Sequence, residues 1–383
     1  MTAASTSPAS RTSSVPRSTR PIAFFLPSVR AGGAQRVMVN LAQGMTERGI
    51  PVDIVLAVAE GAFLPELPPA ARLVDLRAGR LVRSLRPLTR YVRDTRPKVL
   101  VSSISHANLI ALWSARVARR GTPVIVTEHT TASLANVPGL RLAERLGPAL
   151  IRVFYPWAAS VVAVSRGAAD DLARTTGLDR RRMQVVYNPV ITTRVLALAR
   201  QSPDHPWFRP GQPPVITGVG RLSEAKDFPT LLRAFAILRR RRAARLIILG
   251  EGEDRRALEG LISELGIGSD VALPGFRDDA VSYMARSALF VLSSKWEGLP
   301  TVLIEAMAAG TRVVSTDCPS GPREILQDGR LGALVPVGDA DALAQAMFTA
   351  LAQPVPPLPA DALAPFTPDA AVNHYLRLIE AVQ

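Results

Sequence analysis

The sequence predicts an α/β protein made of two doubly wound domains in tandem, facing each other across a cleft. Three observations carry that expectation. The chain has 383 residues, more than the ~250–300 over which one hydrophobic core keeps growing. From residue 21 onward, short apolar runs alternate with amphipathic stretches, which is the rhythm of parallel βαβ units. A proline-dense break interrupts the rhythm, which then restarts. Hydrophobic residues make up 48% and charged residues 20%, which excludes a disordered chain and supports sizeable buried cores.

In the first half, IAFFLPS, PVDIVLAV, KVLVSS, PVIVTEH and SVVAVS read as buried strands, being short apolar runs rich in β-branched residues. Between them, RVMVNLAQGMTERG and ANLIALWSARVARR repeat apolar residues at helical spacing. PDHPWFRPGQPP, residues 203–214, concentrates proline that neither a helix nor a central strand accommodates, and reads as a linker. PVITGVG, RLIILGEG, VALPGF, ALFVLSS and TRVVST then supply the strands of a second domain, and TPDAAVNHYLRLIEAVQ reads as a final amphipathic helix. The expected organisation is a disordered Ser/Thr/Arg-rich tail over 1–20, a first domain over 21–202, the linker over 203–214, a second domain over 215–360, and a C-terminal helical segment over 361–383.

Composition narrows the setting. A single cysteine, Cys318, excludes an internal disulfide framework and a cysteine metal cluster, compatible with a cytoplasmic location. No run of about 18 apolar residues predicts a spanning helix. The formal net charge of +14 belongs to the first half: residues 1–210 sum to +17 and residues 211–383 to −3. That asymmetry suits an anionic membrane surface or plain solvated arginine. DLRAGRLVRSLRPLTRYVRDTRPK and PGLRLAERLGPALIRVFYPWA are the stretches where arginine and apolar residues interleave.

Strand-to-helix loops are where chemistry is expected, because ligands of doubly wound sheets sit outside the carboxyl ends of the strands. Gly32 and Gly33 in AGGAQRV either admit a phosphate at a helix start or simply make a tight turn. Arg221 and Lys226, five residues apart in GRLSEAKDF, either converge on one anion, a planar fork beside a compact charge, or stand as ordinary solvated cations. In WEGLPTVLIEAMAAG, Glu297 lies in a loop where it can face a bound sugar or simply complement the helix dipole, and Glu305 stands about a turn into the next helix, where it can accept from ribose hydroxyls or face solvent. Between them the amides around Gly298, Leu299 and Thr301 suit a phosphate at the helix start. Glu128 and His129 end a buried strand and are expected to face the cleft, the histidine either structural or next to the reacting group. Gly250 and Gly252 either border a base or make a turn. The paired acids Asp170 with Asp171 and Asp278 with Asp279 fit no metal pattern.

Together AGGAQRV, the strand-end EH, VAVSRGAADDL, YNPV, GRLSEAKDFPTLLRAF, LGEGED, LPGF and EGLPTVLIEAMAAGTRVVSTD resemble, in order and spacing, the family 4 type of glycosyltransferase with its two-Rossmann-domain GT-B fold. The resemblance runs from about residue 21 to the C-terminus and implies sugar transfer from a nucleotide-diphosphate donor, UDP-linked by preference, with retained configuration and no metal. It implies Arg221 and Lys226 at the donor diphosphate, Glu297 and Glu305 at donor sugar and ribose, Gly33 near phosphates and acceptor, His129 near the reacting sugar and Phe276 at the turn that meets the base. Thr130 departs from the acidic residue that many relatives carry after the histidine. The implied acceptor is a glycan or a polyprenyl- or other lipid-linked sugar, on a protein peripheral to the membrane.

Two other classes are weighed against this. A nucleotide-sugar epimerase on the same architecture would isomerise donor without acceptor. A basic nucleic-acid-binding protein would need a recognition module or aromatic-basic interleaving, which is missing here.

Overall fold

The computed structural model describes residues 20–30, 32–129, 147–354 and 357–383. The tail expected over residues 1–20 therefore lies outside the described residues, apart from Arg20. That side chain is no free tail, since it donates to the carbonyls of Arg96 and Pro97 at 2.6 and 3.1 Å.

The first sheet contains β1 (Ile22–Leu26), β2 (Val52–Leu56), β3 (Arg72–Asp75), β4 (Val99–Ser103), β5 (Val124–Glu128), β6 (Ser160–Ala163) and β7 (Met183–Val185). Its order is β3-β2-β1-β4-β5-β6-β7, parallel throughout. The second contains β8 (Val215–Val219), β9 (Arg245–Leu249), β10 (Val271–Gly275), β11 (Leu289–Leu292), β12 (Val313–Thr316) and β13 (Ala333–Val335), in the parallel order β10-β9-β8-β11-β12-β13. Strands buried on both faces need no alternation, so β1, β2, β4 and β5 are buried at every position and mostly apolar. The edge strands β3, β7 and β13 are short and only partly buried, which is why no apolar run announces them.

Helices cover both sheets: α1 (Gly33–Glu47), α2 (Leu85–Thr95), α3 (Ser105–Ala118), α4 (Gly147–Phe154), α5 (Arg166–Thr176) and α6 (Thr193–Ala199) precede the linker, and α7 (Phe228–Arg239), α8 (Arg255–Glu264), α9 (Ala280–Arg286), α10 (Thr301–Ala308), α11 (Pro322–Ile325) and α12 (Ala340–Ala352) follow it. The arginine-rich stretch of the first half forms α2, which buries Leu88, Tyr91 and Val92 and packs against α3. The linker is docked rather than loose. Its Phe208 meets Tyr283 edge to face at 5.7 Å, and the Arg245 guanidinium lies 4.7 Å from the Trp207 ring.

The last helix, α13 (Pro368–Ala381), is capped by Thr367, whose Oγ1 accepts from the Ala370 amide. It buries Ala371, Val372, Tyr375 and Ile379, and it lies on α1 of the first domain. Arg48 donates to Asn373 at 2.6 Å and pairs with Asp369 at 2.5 Å, while the Tyr375 hydroxyl meets Thr127 Oγ1 at 3.1 Å. Close approach depends on Gly44, where an added Cβ would come 2.9 Å from Val372 Cγ2. Overpacking such a contact costs ~1–3 kcal/mol. Gly44→Val should lower unfolding free energy by about that amount in urea titration; unchanged stability would mean the contact is not tight in solution.

Candidate functional site

Each sheet reverses its winding once, between β1 and β4 and between β8 and β11, and the loops leaving those strands bound the crevice that this topology creates. In the second domain, β8 runs through Gly220 into a short 3-10 turn, Glu224–Lys226, before α7. The loop after β11 is stitched to it: Ser293 Oγ donates to the Lys226 carbonyl at 2.7 Å, and the Lys295 amide donates to the Ala225 carbonyl at 2.8 Å. Gly250 and Gly252 pack closely on the neighbouring loop, since an added Cβ at either would strike the backbone of Gly220 or Leu222.

Those stitched loops bring Lys226 and Glu297 together. Lys226 Nζ lies 2.5 Å from Glu297 Oε1, and Ser294 Oγ donates to the same oxygen at 2.6 Å. The pair is largely out of water, with the side chains 20% and 11% exposed, so each charge depends on the other and on a neighbouring anion or dipole. Arg221 is not part of this contact. It stands on the rim, 73% exposed and 3.0 Å from Glu253; an exposed pair of this kind contributes little and leaves the guanidinium free to turn toward a ligand.

Immediately beyond Glu297, Gly298, Leu299 and Pro300 are buried and α10 begins at Thr301 with no side-chain cap. Its first amides have no intrahelical acceptor. Glu305 follows on the same helix. Desolvation pushes its carboxyl up to about 7, while Arg36 and Arg194 pull the other way. Arg36 belongs to α1, so α1 and Glu305 face one another across the crevice. The same guanidinium forks onto Glu66 at 2.5 and 2.9 Å and stacks 3.8 Å from the Phe63 ring. Phe276, after the left-handed Gly275 at the end of β10, is 60% exposed, a free apolar shelf near the outer strands.

On the first-domain side, α1 starts with uncapped glycines, and an added Cβ at Gly33 would meet nothing within 4 Å. His129 follows β5. Its Nε2 is buried with no hydrogen-bond partner among the described residues, and burial pulls the imidazole down to about 4, so it is neutral at pH 7. Glu128 corrects the expectation that it faces the cleft: its carboxylate is buried among Ser105, Asn108 and Tyr155, and desolvation raises its pKa. Side chains alternate along a strand, so neighbours at a strand end cannot both face one way. Thr130 lies outside the described residues.

Three of the four paired acids hold arginines. Asp170 holds Arg180 at 2.6 Å, Asp171 holds Arg174 at 3.2 Å and Asp279 holds Arg277 at 3.1 Å. Among the described residues no three His, Cys, Asp or Glu side chains gather as a metal site, and no helix is long and apolar enough to cross a membrane. Ser294, Arg36 and Arg194 were not singled out by sequence reading, because nothing local marks a residue whose partner is distant in the chain.

Comparison with known proteins agrees with this geometry. The family model described as Glycosyltransferase Family 4 matches residues 31–194, and that described as Glycosyl transferases group 1 matches residues 202–362. The chain is 30% identical over 326 residues to the lipopolysaccharide core biosynthesis glycosyltransferase LpsE of Rhizobium meliloti, covering 82% of this chain and 84% of that one. It is 28% identical over 350 residues to the N-acetylgalactosamine-N,N'-diacetylbacillosaminyl-diphospho-undecaprenol 4-alpha-N-acetylgalactosaminyltransferase of Campylobacter jejuni, covering 86% and 90%. Among solved structures, Anabaena Alr3699/HepE in complex with UDP superposes with a TM-score of 0.74 at 20% identity over 94% of this chain and all of that one. The chain belongs to the family 4 type of glycosyltransferases and has their GT-B fold of two Rossmann-like domains.

Glu305 supplies a ligand-free test of the site. A carboxyl raised from 4.5 to about 7 in the folded state binds its proton more tightly folded than unfolded, so its favourable contribution is present below pH ~4.5 and lost as pH rises to ~7, up to ~3 kcal/mol. Urea unfolding of wild type and Glu305→Gln at pH 5 and pH 8 should show the variant gaining on the wild type at the higher pH. An equal difference at both would contradict a desolvated carboxyl there.

Proposed function

We propose that this glycosyltransferase moves a hexose or N-acetylhexosamine, with retention, from a UDP-linked donor to a glycan or polyprenyl-linked acceptor during cell-surface glycan synthesis. The observation that carries the reading is the convergence of Lys226, Glu297 and the uncapped start of α10 at the winding reversal of the second sheet. The UDP bound by Alr3699/HepE and the undecaprenol-linked substrate named for the Campylobacter enzyme support the donor and acceptor classes.

In this reading the donor diphosphate lies against Lys226 and the amides of Gly298, Leu299 and Thr301, and Arg221 swings from Glu253 onto it. Glu297 meets the donor sugar, Glu305 accepts from the ribose hydroxyls, Phe276 borders the base and Gly33 leaves backbone space beside the phosphates. Cleavage of the bond between the anomeric carbon and the phosphate oxygen leaves positive character on the sugar and charge on UDP, which fixed cations and amide dipoles stabilise. The acceptor oxygen bonds to the same face of that carbon and passes its proton to the departing phosphate oxygen. No protein base is required and no metal is invoked. Neutral His129 donates or accepts one hydrogen bond beside the sugar.

A nucleotide-sugar panel followed by product analysis with lipid-linked acceptors tests the reading; an isomerised donor in place of a glycoside would favour an epimerase. Arg221→Ala should slow turnover by ~30- to 1000-fold, the ~2–4 kcal/mol of one preorganised charge-stabilising group. Turnover at the wild-type rate would remove Arg221 from the site.

The acceptor class also requires access to a membrane, and the face made by α2, α3 and α4 supports docking on an anionic bilayer. Trp113, Phe154 and Trp157 interlock edge to face at 5.0–5.4 Å, with the Arg116 guanidinium 5.1 Å from the Trp157 ring. Val117, Leu150 and Val153 are exposed beside them, Val153 by 58%. Arg86, Arg90 and Arg93 line the adjoining groove with Leu85 and Val117. Arginine around exposed aromatic and aliphatic groups is the chemistry of a headgroup interface. Residues 138–146 of the second interleaved stretch lie outside the described residues. Vesicles containing phosphatidylglycerol should retain the protein at low salt and release it at high salt; failure to bind at low salt would end the membrane reading.

A further inference from the structure

One contact between the domains is built on the loop that the donor reading assigns to phosphate. The carbonyl of Gly298 accepts hydrogen bonds from Ser165 Oγ and Ser320 Oγ, each at 2.8 Å, and the two hydroxyls are themselves 2.8 Å apart. Ser165 is the N-cap of α5 in the first domain, its Oγ also accepting from the Ala168 amide at 3.0 Å. A few residues further, Glu324 on α11 reaches back to the same helix. Its carboxylate accepts from the backbone amides of Gly167 and Arg166 at 2.8 and 2.9 Å and from the Tyr187 hydroxyl at 3.0 Å. Burial and Glu324 push the Tyr187 phenol up to about 12, so it is a donor throughout the neutral range.

Close approach is written into the backbone. An added Cβ at Gly167 would come 2.9 Å from Ser320 Oγ and 3.0 Å from Ser320 Cα and the Pro319 carbonyl, so a side chain there would lift α5 away. Gly321, left-handed at φ 93, turns the chain tightly against Pro300. A trans peptide holds its C=O and the next N–H in opposite directions. Drawing the Gly298 oxygen toward Ser165 and Ser320 therefore turns the Leu299 N–H away from α5.

We infer that Ser165, Ser320 and Glu324 are positioning residues for the donor loop: by clamping the start of α5 to Gly298 and α11, they orient the Gly298–Leu299 peptide for a diphosphate and link donor affinity to the contact between the domains. None of the three touches donor in this role, which presupposes the donor site proposed above. Opening the domains would break the Ser165 bond to Gly298 and the first-domain bonds to Glu324 together, leaving Ser320 as the remaining side-chain partner of the Gly298 carbonyl.

The test compares hydrogen exchange over residues 298–302 and calorimetric binding of UDP in the full-length wild type, Glu324→Gln, Ser320→Ala and Arg221→Ala. Glu324→Gln sets an amide nitrogen against one backbone N–H, and Ser320→Ala removes a donor to Gly298 and a neighbour of the Ser165 hydroxyl while leaving the Ser165 Oγ bond from the Ala168 amide in place. Both should speed exchange at 298–302 and weaken UDP binding by roughly tenfold, the scale of one lost hydrogen bond, with melting temperature nearly unmoved. Tyr187→Phe should shift both readouts in the same direction by less. Wild-type exchange in both variants would overturn the clamp. Faster exchange with wild-type UDP affinity, while Arg221→Ala weakens UDP, would overturn the coupling and leave the donor site standing. If UDP affinity ignores Arg221→Ala as well, the donor site fails and the clamp's role fails with it.

Discussion

Parallel pairing throughout both sheets sends every strand's carboxyl end to one edge, and the single winding reversal in each sheet opens a crevice at that edge. Everything chemical in the chain follows from this constraint. Loops after β8 and β11 leave adjacent strands in opposite directions around the reversal, and their stitching through Ser293 and Lys295 fixes Lys226 beside Glu297. A sheet with antiparallel members would scatter the same loops to both edges and leave these residues on opposite faces of the molecule.

The site is electrostatically occupied by its own side chains before any ligand arrives. Lys226 is neutralised by Glu297, Arg221 by Glu253 and Arg36 by Glu66. In the proposed reading a dianionic diphosphate would exchange these carboxylate partners for its own oxygens instead of meeting bare cations. Glu305 differs: desolvation pushes its carboxyl up to about 7, against the pull of Arg36 and Arg194. Burial likewise keeps His129 neutral, so the first-domain wall adds a polar contact there without adding charge.

The two domains are not independent bodies joined by a thread. α13 returns to α1 through Gly44, Arg48 and Tyr375, and one buried apolar cluster includes Val164 and Ala168 of the first domain with Leu299, Leu303 and Ile325 of the second. Against that apolar seam the polar bonds of Ser165 and Glu324 set the angle at which α5 meets the donor loop. Apolar contact gives adhesion without direction, whereas hydrogen bonds to one carbonyl and two backbone amides specify an orientation.

The alternating apolar runs, the proline break and the amphipathic C-terminal helix made the architecture legible, because buried parallel strands and helix faces are written in local periodicity. Edge strands such as β3, with three exposed residues of four, are held by a neighbour's backbone and left no such mark. Site residues were legible where a loop brings its own chemistry, as with Arg221, Lys226, Glu297 and Glu305. Their sequence neighbourhood could not say that Lys226 and Glu297 touch, that Arg221 stays on the rim, or that Glu128 turns inward to Tyr155. The amino-acid sequence by itself determined the fold class, the family and the cast of charged residues. Only the tertiary structure decided which of them meet, how dry each carboxyl is, and that Ser165 and Glu324 join the Gly298 loop and α11 to α5, because distance and desolvation between segments tens to more than a hundred residues apart are properties of packing and have no local period to be read.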